Sequence, residues 1–238
     1  MTSPQRIVGI LFDKDGTLFD FGATWDVWAG DVLDELAQGD ARRLAALAEV
    51  ACYDLGARRF LPHSPIIAGT NREAAECLAQ ALPGVDIDAL EQHLMLTSSQ
   101  APLVPAVPLA PLLDGFLARG LSLGVMTNDT EFGARTHLAT AGVADRFHFI
   151  AGFDSGHGAK PSPQPLLAFA IARGLEPGNV IMVGDSAHDL IAGREAGMLC
   201  VGVLTGPAPR AALAPLADVV LPDIGHLPDW IRGRDQVG

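Results

Sequence analysis

The sequence predicts an α/β protein: a parallel sheet covered by helices on both faces, with a helical cap inserted after the first strand. Three observations predict it. Short, almost wholly apolar runs recur along the chain; helical patterns alternate with them; and the interval of about a hundred residues between the first two clear runs carries helices rather than strands.

Ile7–Phe12 is the first run, and it lacks the polar alternation of a sheet with one wet face, so it reads as a strand buried on both sides. The interval 21–107 reads as mostly helical. Trp25, Trp28, Ala29, Val32, Leu33 and Leu36 share one face at helical spacing, as do Leu44, Leu47, Ala48, Ala51 and Leu55. Two more helices fit Asn71–Ala81 and Asp86–Ser99, and the proline-rich stretch Pro102–Pro111 reads as the connection back to the core. Strands then follow at Leu121–Met126, Val180–Val183, Met198–Val203 and Asp218–Leu221, with helices at Glu131–Ala141, Pro163–Arg173 and His188–Glu195. The expected division is a core of 1–20 and 108–238 and a cap of 21–107. Open parallel sheets place their sites at the carboxyl ends of the strands, which are here Asp13, Thr127 and Asp185.

Composition narrows the function. The 238 residues are 49% hydrophobic, enough for a full core, and carry a net charge of −12, which argues against nucleic acid or an anionic membrane as partner. No apolar run approaches a membrane span, and the first residues lack the h-region and cleavage site of a secretory signal. Cys52, Cys77 and Cys200 are far apart and form neither a zinc motif nor a disulfide framework. A cytoplasmic protein is expected.

Four short motifs carry chemistry. Asp13-Lys14-Asp15-Gly16-Thr17 follows the first strand, and two carboxylates at i, i+2 past a strand end can share a hard cation such as Mg²⁺. A carboxylate there can also act as a nucleophile; a plain turn explains Asp15-Gly16 but not Asp13. Thr127-Asn128 offers a hydroxyl and an amide at a strand end, though helix capping accounts for the pair equally well. Lys160 is one of only two lysines, against fourteen arginines, which suggests a role for a compact ammonium. In Gly184-Asp185-Ser186-Ala187-His188-Asp189, the two aspartates can converge on one metal, while Ser186 and Asp189 also match a capping box.

The ordered set DxDGT, Thr-Asn, Lys-Pro and GDxxxD resembles the haloacid dehalogenase-like hydrolase superfamily, and the inserted cap resembles its phosphoglycolate-phosphatase group. The resemblance implies a Rossmann-like core and a Mg²⁺-dependent phosphatase acting on a small phosphorylated metabolite. By motif match, Asp13 would be the nucleophile, and Asp15 the general acid/base, with its backbone carbonyl reaching Mg²⁺. Thr127, Asn128 and Lys160 would bind phosphate, Lys160 would balance charge on Asp13, and Asp185 and Asp189 would serve the metal. Lys14 stands where many relatives carry an apolar residue.

Rival readings stay in view. A mutase or phosphotransferase would hand the same aspartyl-phosphate to another acceptor. A non-catalytic phosphate-binding module would be expected to lack Asp13 or Asp15. The second aspartate argues against a dehalogenase, and a cap without lysine argues against Schiff-base chemistry. The phosphate loop of a kinase or GTPase, GxxxxGK[ST], is absent. From the cap, Arg59, Ser64 and Asn71 are the expected substrate contacts. Arg58, His63 and Arg72 are further candidates, and Trp25 and Trp28 are expected mainly in the cap core.

Overall fold

In a computed structural model, residues 6–236 are described; residues 1–5 and 237–238 of the expected core lie outside them. Eight strands form there: β1 (Gly9–Phe12), β2 (Tyr53–Asp54), β3 (Arg59–Phe60), β4 (Ser122–Met126), β5 (Phe149–Ala151), β6 (Val180–Gly184), β7 (Leu199–Val203) and β8 (Val219–Leu221). The ten α-helices are α1 (Val27–Ala37), α2 (Ala41–Val50), α3 (Asn71–Ala79), α4 (Ile87–Ser98), α5 (Leu109–Ala118), α6 (Glu131–Thr140), α7 (Gln164–Arg173), α8 (Ala187–Glu195), α9 (Arg210–Leu213) and α10 (Leu227–Gln236).

Six strands build one sheet in the order β5-β4-β1-β6-β7-β8, with every pair parallel. The first strand lies centrally, flanked by β4 and β6, which pair with all four of its residues from opposite sides. Both its faces are therefore covered: Ile10 and Phe12 join one apolar cluster, and Leu11 joins another. That burial explains the unbroken apolar run. Asp13 continues the ladder, donating its N–H to the Val183 carbonyl at 2.8 Å, so its side chain emerges at the carboxyl edge.

A separate apolar cluster fills the segment between β1 and α5, built from Val32, Leu33, Leu47, Ala75, Leu78 and Leu94 among others. The chain enters and leaves this segment side by side: Asp20 donates to the Val104 carbonyl and Ala106 to that of Leu18. Asp40, Thr70 and Asp86 cap α2, α3 and α4 through their side-chain oxygens.

Four features differ from the sequence reading. Leu55 does not extend the helical face of Leu47 and Ala48: α2 ends at Val50 and Cys52 takes φ 48°. The chain then turns through a two-strand hairpin, where Asp54 accepts the N–H groups of Gly56 and Ala57 and Leu55 is exposed. The proline-rich connection becomes helical from Leu109, because Pro108 precedes the helix and Pro111 lies in its first turn, where no N–H is needed. The three-residue β5 is too short to announce itself by pattern, yet it closes one edge of the sheet. The ten-residue α10 is also new: its few apolar residues, Leu227, Trp230 and Ile231, pack on the core among polar neighbours.

Candidate active site

The turn after β1 is shaped by close approach. Gly16 has φ +76°, and a Cβ there would lie 2.5 Å from the Asp185 carboxylate; a Cβ on Gly206 would lie even closer to that group. Thr205 fastens the same turn by donating its hydroxyl to the Gly16 carbonyl at 2.6 Å. Gly206 and Thr205 lie beyond the four motifs, and only their proximity in the fold marks them.

Asp13, Asp185 and Asp189 each bring a carboxylate oxygen within 4.8 Å of the others, and all three are buried. Lys160 sits among them, donating to Asp13 Oδ1 and to Asp189 Oδ1 at 2.6 Å each. Burial works against its charge, but Asp13 and Asp189 hold the ammonium above its ordinary range. The second oxygen of Asp189 accepts the Ser186 N–H and hydroxyl, so this carboxylate caps α8 and pairs with Lys160 at once. Burial pushes Asp13 up to about 7, against the pull of Lys160.

Asp185 differs from both. Among the described residues it forms no ion pair, and the backbone donor near its carboxylate is its own N–H. Burial first, then the neighbouring Asp13 and Asp189, raise it well above the carboxylate range. A buried carboxylate beside two others and without a counterion is a place built for a cation. The oxygen-only donor set fits a hard divalent ion.

The carboxylate of Asp15 does not join this cluster. It turns to Lys14, whose Nζ lies 2.8 Å from Oδ1 and 2.7 Å from Oδ2. The hydroxyl of Thr127 accepts the Asp129 N–H at 3.1 Å and lies buried on the cavity wall. Asn128 spends its side chain on protein: Oδ1 accepts the Lys160 N–H, and Nδ2 donates to the carbonyls of Lys160 and Ala68. That amide therefore holds the Lys160 loop and reaches the cap. His188 supplies a second donor to the same Ala68 carbonyl, at 3.2 Å. Sequence reading quoted His188 within its motif without giving it a task; a contact across 120 positions leaves no local signal.

These groups face a cavity that is partly open to solvent. Its core wall carries Asp13, Asp15, Thr127, Asn128, Lys160 and Asp185; the opposite wall carries Phe21, Trp25, Trp28, Phe60, Ile66 and Ile67. Trp25 and Trp28 thus serve the cavity as well as the cap core, meeting edge to face at 5.2 Å between ring centres. Of the three expected cap contacts, Asn71 lines the cavity, and its buried Nδ2 has no hydrogen-bond partner among the described residues. The other two are corrected. Ser64 turns its hydroxyl to the Ala51 carbonyl at 2.6 Å, and Arg59 is exposed at the hairpin; neither lines the cavity. Arg58 pairs with Asp31 and Asp34 on the surface, and Arg72 with Glu76, Asp88 and Glu91. Among the described residues, no arginine or lysine of 21–107 reaches the cavity.

Such a sheet-edge cluster of carboxylates around one lysine can hold a hard cation together with an anionic ligand. A family model of haloacid dehalogenase-like hydrolases matches residues 7–197. The chain is 41% identical over 229 residues to the phosphoglycolate phosphatase of Neisseria meningitidis serogroup A, covering 96% of this chain and 91% of that one. It is 42% identical over 227 residues to the phosphoglycolate phosphatase of Neisseria gonorrhoeae, covering 94% and 92%. Among solved structures, a HAD family hydrolase from Deinococcus radiodurans R1 with bound phosphate and sodium superposes with a TM-score of 0.67 at 21% identity, covering 97% of each chain. The chain belongs to the haloacid dehalogenase-like hydrolase family. It is a phosphomonoester hydrolase.

Proposed function

We propose that the protein is a cytoplasmic, Mg²⁺-dependent phosphatase that hydrolyses 2-phosphoglycolate through an aspartyl-phosphate on Asp13. The observation that carries the chemistry is the buried cluster itself: Asp13 held by Lys160, beside a carboxylate, Asp185, that lacks a counterion. The substrate is taken from the two neisserial relatives. The free thiols of Cys52, Cys77 and Cys200 suit a reducing compartment.

Asp13, Asp185 and the backbone carbonyl of Asp15 would hold Mg²⁺, with Asp189 close by. Bound there, the ion supplies charge neutralisation for the phosphoryl oxygens and for the carboxylates beneath them. Lys160 offsets the remaining negative charge, so that an Asp13 oxygen can approach phosphorus. The bond from phosphorus to the ester oxygen breaks as the bond to Asp13 forms, and Asp15 delivers a proton to the departing alkoxide. A water then attacks phosphorus, Asp15 takes its proton, and the Asp13 carboxylate leaves. The Thr127 hydroxyl and the backbone N–H of Asn128 receive non-reacting phosphate oxygens, since the N–H groups of Asp129, Thr130 and Glu131 are donated within the protein.

The glycolate carboxylate needs its own partner. With Arg58, Arg59 and Arg72 turned away, the unpartnered Nδ2 of Asn71 is the donor offered by the cap, at the first residue of α3. Its helix start adds N–H groups of favourable polarity. Phosphate release measured over a panel of small phosphomonoesters with Mg²⁺ tests the reading. 2-Phosphoglycolate should give the highest kcat/KM, and Asn71→Ala should lower that advantage about tenfold. A panel in which 2-phosphoglycolate ranks with generic esters would refute the substrate assignment.

A further inference from the structure

Lys14 takes no part in the chemistry above, yet it is fully buried. Its ammonium meets both oxygens of Asp15, Asp129 Oδ2 at 3.2 Å and His137 Nδ1 at 2.9 Å, and lies 5.2 Å from the centre of the Trp25 ring. An ammonium has only protons to offer, so His137 Nδ1 is the acceptor, and the other ring nitrogen carries the hydrogen. That Nε2–H donates to the Ser98 carbonyl at 2.9 Å, at the end of α4. One side chain therefore touches the proposed proton carrier, Asp129 just before α6, His137 in the last turn of α6, and, directly or through His137, two parts of the segment 21–107.

Stability alone does not explain this arrangement. A buried ion pair is seldom worth more than an apolar residue of the same volume, and a leucine or methionine would avoid the desolvation of Lys14. The side chain of Asp15 is 16% exposed, and with both oxygens on one ammonium its rotation is fixed at the edge of the cavity.

We infer that Lys14 is a positioning residue: it clamps the Asp15 carboxyl at the edge of the cavity and ties that placement to the segment 21–107 through His137 and Trp25. This rests on the proposed role of Asp15 as proton carrier. Proton delivery matters for an alkoxide leaving group and little for 4-nitrophenolate, which departs without a proton. A positioning defect therefore separates two substrates that a general loss of structure would affect alike.

The test compares kcat/KM for 2-phosphoglycolate and for 4-nitrophenyl phosphate in the wild type, Lys14→Met and Asp15→Asn, with Mg²⁺ saturating. Lys14→Met should lose about tenfold or more on the alkyl ester and less than about threefold on the aryl ester. It should also release a stoichiometric burst of nitrophenol, because hydrolysis of the aspartyl-phosphate still needs a placed Asp15. Asp15→Asn should show the same split, larger. If Asp15→Asn splits the substrates and Lys14→Met lowers both equally or neither, the positioning role is overturned while the reading of Asp15 stands. If Asp15→Asn itself shows no split, that reading falls and takes the inference with it. Should Lys14→Met fail to fold, His137→Phe, which removes the acceptor and the link to Ser98, should show the split at about threefold, and an equal loss on both esters would overturn the inference.

Discussion

Two buried lysines stand on opposite sides of Asp13 and Asp15, and their surroundings look alike until the charges are followed. Lys160 joins Asp13 to Asp189, and Lys14 joins Asp15 to Asp129. Around Lys160 a third carboxylate, Asp185, remains without a cation. Around Lys14, among the described residues, no third carboxylate joins the pair, and the remaining partners are an imidazole and an aromatic face. The first cluster is left open for a metal and a phosphate; the second is closed and reaches into the cap. The same residue type thus serves neutralisation in one place and alignment in the other, according to what completes its shell.

The sharpest break of this comparison is at the open cluster. Asp13→Asn should remove more than roughly 99% of turnover, because no other carboxylate is placed to accept the phosphoryl group. A folded variant keeping a tenth of wild-type activity, by phosphate release, would contradict the assignment. Lys160→Ala should cost about 10²–10⁴ in kcat, and Lys160→Arg should restore only part, since a planar fork cannot take the point between Asp13 and Asp189.

Metal dependence sharpens the contrast between the carboxylates. Chelation should abolish activity and Mg²⁺ restore it, with Ca²⁺ a poor substitute because its shell is larger and looser. Asp185→Ala should raise the Mg²⁺ concentration needed for half-activity more than Asp189→Ala does, since Asp189 already has Lys160 and Ser186 as partners. Equal shifts would show that the two carboxylates share the ion on equal terms.

At the closed cluster, beyond the loss of alkyl-ester turnover expected of Lys14→Met, the expected effects are smaller and fall on stability. Burial first, and Lys14 second, lower the pKa of His137 below its usual 6.5; Asp15 and Asp129 pull the other way, as does the Ser98 carbonyl. A depressed folded pKa contributes stability that is intact above the unfolded value and lost as pH falls through the folded one. Between about pH 7 and about pH 5 the wild-type Tm should therefore drop more steeply than that of His137→Gln. Parallel curves would mean that folding leaves the imidazole's affinity for a proton unchanged, and a shallower wild-type drop would mean that it carries a proton in the fold. The smallest effect belongs to Arg72, whose surface ion pairs leave it outside the cavity: Arg72→Ala should keep kcat/KM within about twofold.

Much of the fold was legible because buried parallel strands write themselves as apolar runs, and the strand ends then located Asp13, Thr127 and Asp185. Lys160 was legible through its rarity. What stayed hidden depended on contacts between distant residues. Nothing near Lys14 in sequence points to His137 or Trp25, and Gly206 meets Asp185 only because the loop after β7 folds over the site. Helical spacing marked the helices between β1 and α5, apart from carrying the second as far as Leu55, but it could not tell which side chains there face the cavity. Arg59 and Ser64 looked as suitable as Asn71 until the hairpin turned one outward and the Ala51 carbonyl claimed the other.

The central claim is that Asp13 carries the phosphoryl group. Asp15→Asn should slow release of that group, so a quenched reaction with Mg²⁺ and 4-nitrophenyl phosphate should accumulate phosphoenzyme. Peptide mapping should find a hydroxylamine-labile acyl phosphate on Asp13. No phosphoenzyme under these conditions, or a phosphate on any other residue, would contradict the account.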